Sequence, residues 1–205
     1  MFTLTVIDSD RWIAGGIAHY FRERYIRVNL VDEAHFDGAL TLAAGSDVII
    51  SEIRALNRDA QDFIELFLRF RQCSPAPRLI ILTDFDEPAV LNYVTLQLPE
   101  AVILPKSTPV TELAGEIFKT KTPLISEDVQ PAHVRSRCAL TAREFGLLRM
   151  LATKRSLTDI GRSLELSVKT ISHHKRNIMR KLNCRNTTEL PTLLAEMGFG
   201  SPQVR

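Results

Sequence analysis

Short aliphatic and β-branched runs recur along the first 120 residues, at 4–7, 25–31, 47–51, 78–83 and 101–104. Between them, apolar residues fall at helical spacing. Trp12, Ile13, Gly16, Ile17 and Tyr20 share one face of the first such segment, and Phe63, Leu66, Phe67 and Phe70 share one face of a later one, with Leu68 beside it. Strand and helix patterns alternating at this spacing predict βαβ units. The expected N-terminal domain is therefore α/β, a five-stranded parallel sheet in three layers with five helices, over residues 1–119. The pattern stops at Lys119-Thr-Lys-Thr-Pro123. Residues 120–138 hold two prolines and little periodicity, which predicts a linker with a short helix around 127–134.

From residue 139 onward the pattern is helical throughout, predicting an all-α domain of four helices over 139–205. Thr141 followed by Glu144 has the form of a capping box, and Leu147, Leu148 and Leu151 make the apolar face behind it. Ser156 with Asp159 repeats that form. A third helix starts at Ser167, and a fourth spans about 186–197, with Gly198 as its stop. Helices at 157–164 and 168–182, separated by three residues, have the connection of a helix-turn-helix. Ile160, Leu164, Leu166, Ile171 and Ile178 are its expected core. Leu190, Leu193, Leu194 and Met197, on the last helix, supply more apolar positions than one small domain needs, so a dimer contact is expected there.

Charge sharpens this division. The chain of 205 residues carries a formal +2, but residues 139–205 hold 12 Lys/Arg against 5 Asp/Glu, and residues 1–138 hold 14 against 19. Residues 167–185 contain six cations and no acid. Solvated helix faces usually interleave both signs, so a one-sided stretch points to a polyanionic partner. The candidate contacts are Lys169, Thr170, Ser172, His173, His174, Lys175, Arg176, Arg180 and Lys181. Long cations reach phosphates, while Ser, His and Arg reach base edges in a major groove. Adjacent His173 and His174 point about 100° apart, which makes them poor joint metal ligands.

The remaining composition excludes several classes. No stretch approaches the ~20 apolar residues that span a bilayer. The first residues read as a strand with no cationic leader, and Cys73, Cys138 and Cys184 lack metal-ligand spacing. A cytoplasmic protein with reduced thiols, no cofactor, no bound metal and no membrane partner is expected. There is no Gly-rich phosphate loop, HExxH or GxSxG to suggest an enzyme.

Leu140-Thr-Ala-Arg-Glu-Phe-Gly-Leu-Leu148, Leu157-Thr-Asp-Ile-Gly161, Ser167-Val-Lys-Thr-Ile-Ser-His-His174 and Ile178-Met-Arg-Lys-Leu182 resemble the LuxR/NarL-type DNA-binding domain over roughly 140–197. The resemblance implies base-reading roles for Ser172, His173 and Arg176, and phosphate contacts at or near Lys169, Thr170, His174 and Lys175. Gly146, Lys154 and Gly161 depart from the usual pattern, the last at a cost of about 1 kcal/mol in helix propensity.

The N-terminal layout resembles a response-regulator receiver of flavodoxin-like order. A working receiver holds Mg²⁺ on acids at the end of strand 1, beside a phosphoaccepting Asp after strand 3, with a Thr or Ser on strand 4 and a Lys on strand 5. Here the acidic pair falls on Asp8 and Ser9, with Asp10 one residue late. Glu52 replaces the acceptor, while Thr83 and Lys106 are kept. A degenerate, phosphorylation-independent receiver is expected, with Glu52 and Lys106 as a standing ion pair.

The two-domain layout and the segments Lys169–Lys175 and Asn177–Leu182 are similar to the enterobacterial Rcs-type capsule regulators and their auxiliary coregulators. Together these features imply a sequence-specific transcription regulator on double-stranded DNA, acting as a homodimer or as a heterodimer with a related response regulator. The alternatives are a phosphorelay regulator with a functional non-standard receiver, and an interaction protein that sequesters another regulator.

Overall fold

The first run forms β1 (Thr3–Ile7), five residues buried on both faces. A strand with no solvated face must sit inside a sheet covered on both sides. In the computed structural model, which describes residues 1–55, 57–119, 139–153 and 156–200, β1 lies inside such a sheet. It pairs in parallel with β2 (Arg27–Val31) on one side and β3 (Val48–Ser51) on the other. β4 (Arg78–Leu82) and β5 (Val102–Leu104) extend the sheet to the order β2-β1-β3-β4-β5. The predicted five-stranded parallel sheet is thus observed, with strand ends shifted by one or two residues.

The α-helices of this part are α1 (Arg11–Arg22), α2 (Ala39–Ala44), α3 (Ala60–Phe70), α4 (Pro88–Gln97) and α5 (Val110–Phe118). Leu4, Val6, Val28, Val48, Ile50, Ile80 and Leu82 form one core with Ala14, Ile17, Ala18 and Phe21 of α1 and Leu113 and Ile117 of α5. The alternate positions Thr5, Ile7, Ile49, Ser51 and Ile81 are equally buried on the opposite face. Phe63, Leu66, Phe67 and Phe70 turn inward on α3 as the spacing predicts. On α1 the predicted face is rotated. Trp12 is 91% exposed, and Ala14, Ala18 and Phe21 take the inward positions beside Ile17. Small alanines let the helix approach the sheet closely, a fit that a search for large apolar residues overlooks.

The C-terminal helices are α6 (Ala142–Ala152), α7 (Leu157–Ser163), α8 (Val168–Lys181) and α9 (Glu189–Glu196). By their contacts the described residues fall into two units. One holds the whole sheet, and the other holds α6–α9 together with Asp59–Gln61 and α4. The predicted linker over 120–138, its short helix, Cys138 and Lys154 lie outside the described residues. Among the described residues no helix is long and apolar enough to cross a membrane.

Candidate functional site

Two places bring the singled-out residues together, one in each unit. The first follows from strand order. In a 2-1-3-4-5 sheet the connections diverge between β1 and β3, leaving a crevice at the carboxyl ends of the strands. Ile7 pairs with Ser51, and the Glu52 N–H donates to the Ile7 carbonyl at 3.0 Å, so Asp8 and Glu52 emerge side by side. The Thr83 N–H donates to the Leu104 carbonyl at 2.9 Å, which places Thr83 and Lys106 on the neighbouring strand ends.

Four of the six predicted pocket residues converge there. The Lys106 ammonium lies 2.9 Å from Asp8 Oδ2, 3.1 Å from Asp8 Oδ1 and 2.9 Å from Glu52 Oε2. Glu52 Oε1 accepts from the Thr83 hydroxyl and, at 2.7 Å, from the Ile53 N–H. Asp8, Glu52 and Thr83 are buried, and the Lys106 side chain is 14% exposed. Burial alone would pull the ammonium's pKa down. Hydrogen bonds and attraction from Glu52 and then Asp8 outweigh it and hold the group above its ordinary value.

The other two residues are elsewhere. Ser9 is exposed. Asp10 caps α1, its Oδ1 accepting from the Trp12 N–H at 2.9 Å and the Ile13 N–H at 3.2 Å. Asp10 therefore does not stand in for the missing acid of the strand-1 pair, because its carboxylate satisfies helix donors that would otherwise be orphaned. A receiver's Mg²⁺ needs several converging oxygens; among the described residues the carboxylates brought to the Lys106 ammonium are Asp8 and Glu52, too few to fit that ion.

The second place is α8. Ser167 caps it, its Oγ accepting from the Thr170 N–H at 3.0 Å. The turn before it is tight: the Leu166 N–H donates to the Gly161 carbonyl at 2.8 Å, with Glu165 in the left-handed region at φ 56°. A Cβ on Gly161 would stand 2.7 Å from the Leu166 carbonyl oxygen. The glycine that looked like a lost helix former is what lets α7 close on the turn. Ser156 caps α7 through the Asp159 N–H, but Asp159 bonds the Ser156 hydroxyl rather than returning to the backbone, so only half of the predicted second box forms. The full box forms at Thr141 and Glu144.

Ile171 and Ile178 face inward on α8 and are fully buried. Lys169, His173, Arg176 and Arg180 are exposed at i, i+4, i+7 and i+11, a single outward stripe. Thr170, Ser172, His174 and Lys175 flank it, half-buried. Among the described residues none of the four cations Lys169, Lys175, Arg176 and Arg180 forms an ion pair. Asn177, which sequence reasoning passed over, donates from Nδ2 to His173 Nε2 at 3.0 Å and fixes that ring. Its i+4 spacing from His173 was the available signal.

Two sets of expected site residues need correction. Lys181 is not part of the outward stripe. Its ammonium bonds the Ala139 carbonyl and Glu144 Oε2, each at 2.7 Å, and its side chain is 12% exposed. It ties the end of α8 to the start of α6. The Glu144 carboxyl is buried, which opposes ionisation, yet the Lys181 ammonium and the Thr141 N–H hold its pKa below the ordinary value. On α9, Leu190 and Leu194 are fully buried and Met197 nearly so. They fill the core of their own domain, because α9 lies against α6. Leu193 alone of the four reaches the surface, in a hollow that it lines with Leu182, Cys184, Thr188, Thr192 and Glu196.

Residues 138–194 match the model of the family described as bacterial regulatory proteins, luxR family. The chain is similar to the oxygen regulatory protein NreC of Staphylococcus epidermidis, 31% identical over 134 residues, which cover 57% of this chain and 61% of NreC. It is also similar to the transcriptional regulatory protein LiaR of Bacillus subtilis, 26% identical over 206 residues, covering 92% of this chain and 94% of LiaR. A structure of RcsB from Salmonella enterica serovar Typhimurium, bound to promoter rprA in the presence of phosphomimetic BeF3-, shares the fold with a TM-score of 0.62. It is 22% identical and covers 95% of this chain and 99% of that one. Residues 138–194 thus match a luxR-family domain, and beyond it the chain is similar to LuxR/NarL-type transcriptional regulatory proteins, spanning less than two thirds of the length of NreC.

Proposed function

We propose that this protein is a sequence-specific DNA-binding transcription regulator that works without phosphoryl transfer. It acts as a homodimer or as the auxiliary partner of a related response regulator. The observation that carries the DNA-binding reading is the outward stripe of α8, with Lys169, His173, Arg176 and Arg180 on one face and no acid in the first turn. A cation in the first turn opposes the helix dipole, so Lys169 is better placed for a phosphate than for helix stability. Phosphorylation independence is supported by Glu52, whose carboxylate stands where an acceptor would and is already held by Lys106, Thr83 and Ile53. On α9 the proposed dimer contact narrows to Leu193, which stays partly exposed while Leu190, Leu194 and Met197 are buried.

The test combines two measurements on the full chain. Operator fragments selected from a random duplex pool are titrated by fluorescence anisotropy without a phosphodonor, and radiolabelled acetyl phosphate is offered in parallel. Saturable, sequence-selective binding with no label uptake is expected. Efficient labelling of a residue in the N-terminal domain would overturn phosphorylation independence. Absence of selective duplex binding, alone and with candidate response-regulator partners, would overturn the DNA-binding reading.

Within this reading, Arg176→Ala should cost about 1–3 kcal/mol at the selected operator and relax its sequence preference. Lys169→Ala should weaken binding to all sequences alike and flatten the salt dependence by about one unit of slope. Salt titrations of the two variants on specific and random duplexes separate these roles. Unchanged affinity and selectivity in Arg176→Ala would remove α8 as the reading element.

A further inference from the structure

The pocket at the carboxyl edge of the sheet supplies its own cation. We infer that the Lys106 ammonium occupies the place a divalent metal would need between Asp8 and Glu52, so that the native pocket forms without Mg²⁺ and excludes it. The inference rests on the receiver-like reading of this domain, and it holds whether or not any residue takes up a phosphoryl group.

Three observations converge on it. First, every carboxylate oxygen of the pair is already engaged. Asp8 Oδ1 accepts from the Asp10 N–H at 2.8 Å and from Lys106 at 3.1 Å, and Oδ2 accepts from Lys106 at 2.9 Å. Glu52 Oε2 accepts from Lys106 at 2.9 Å, and Oε1 accepts from the Ile53 N–H and the Thr83 hydroxyl. A metal would have to displace several of these bonds to reach either side chain.

Second, the donor set is too small. Mg²⁺ takes about six oxygens near 2.0–2.1 Å in octahedral array and keeps water where protein ligands are lacking. Here the neighbours of Asp8 in sequence do not add a ligand. Asp10 is spent on capping α1, and Ser9 is exposed and has no carboxylate. Among the described residues no cluster of three or more acidic, His or Cys side chains is arranged to hold a metal.

Third, the charges conflict. A metal bridging Asp8 and Glu52 would have to share both carboxylates with the ammonium that already bridges them. The groups are largely shielded from water, so the repulsion between dication and ammonium would be poorly screened. One ammonium against two carboxylates leaves a single negative charge, shared with the Thr83 hydroxyl and the Ile53 and Asp10 N–H groups.

The test uses Mn²⁺ as a paramagnetic probe of the Mg²⁺ position, together with thermal unfolding of the full chain in MgCl2, in NaCl of matched ionic strength, and in chelator. The unsubstituted protein should show no selective broadening of the Asp8, Glu52 and Ile53 amide signals at millimolar Mn²⁺. Its melting temperature should be the same in all three solutions. Lys106→Met keeps the length of the stem and removes the charge. It should melt lower and regain part of the loss in MgCl2 but not in NaCl, with broadening now centred on Asp8 and Glu52. If Lys106→Met does not fold, the Mn²⁺ titration of the unsubstituted chain decides by itself. Broadening at Asp8 and Glu52 in the unsubstituted chain, or a Mg²⁺-specific rise in its melting temperature, overturns the inference, as does a folded Lys106→Met that ignores the metal. Metal binding without label from acetyl phosphate would overturn this inference alone, whereas label uptake is the result that overturns phosphorylation independence.

Discussion

Lys181→Met is expected to destabilise the C-terminal helical domain by about 3–5 kcal/mol, the usual cost of leaving one member of a buried ion pair without its partner. Both side chains are shielded, at 12% and 4% exposure, and the contact is 2.7 Å long. The loss is compounded because Glu144 Oε2 also receives the Thr141 N–H at the start of α6. Were Lys181 a phosphate contact, its replacement would leave folding alone and weaken DNA binding only. Amide hydrogen exchange in α6 and α8 of the full chain separates the two outcomes, with Lys169→Ala as the exposed control. Unchanged protection in Lys181→Met would show that the buried pair contributes nothing.

The same pair fixes the acid limb of stability. The folded-state pKa of Glu144 lies below its unfolded value near 4.5. Its contribution is therefore present above that value and lost as the pH falls through the lower, folded one. With Lys181 gone, the main group holding that carboxyl down is absent, so this loss should begin at higher pH.

Asp8→Asn combined with Glu52→Gln should destabilise the sheet domain by about 3–5 kcal/mol, more than the sum of the single replacements. Each single variant leaves the ammonium of Lys106 one carboxylate within 2.9 Å, so the charge stays paired. The double variant buries it without any. A thermodynamic cycle from denaturant unfolding measures the coupling, and strict additivity would mean that the two acids do not share the ammonium.

The alkaline limb should change sign as well. In the unsubstituted protein the Lys106 pKa is raised above 10.5, so its contribution is complete below that value and lost as the pH climbs through the folded one. Without the carboxylates, burial dominates and lowers the pKa. The double variant should then gain stability as rising pH neutralises the group.

Much of this arrangement was legible in the residues. Element type follows from periodicity, so the five strands and the helix-turn-helix can be located in the sequence itself. Caps follow from local chemistry, because Thr141 with Glu144 and Ser167 with Thr170 bond within one turn of the chain. The acid-free run of α8 is likewise a property of sequence alone, as is a glutamate at position 52, directly after β3.

What tertiary structure decided is which way ambiguous positions turn. Lys181 belongs to a cationic run, and only the approach of α6 shows it to be bonded inward to Glu144 and the Ala139 carbonyl. Leu190, Leu194 and Met197 looked surplus until α9 was laid against α6. Asp10 stood close enough to Asp8 to substitute for a missing acid, but the orphan N–H groups of α1 claimed it. Lys106 could be matched to Glu52 by family pattern, while its second bond, to Asp8, required strands far apart in sequence to end at one edge. Periodicity and capping act over a few residues and can be read along the chain. Burial, and the partner a charge finds there, depend on segments that only the folded chain brings together.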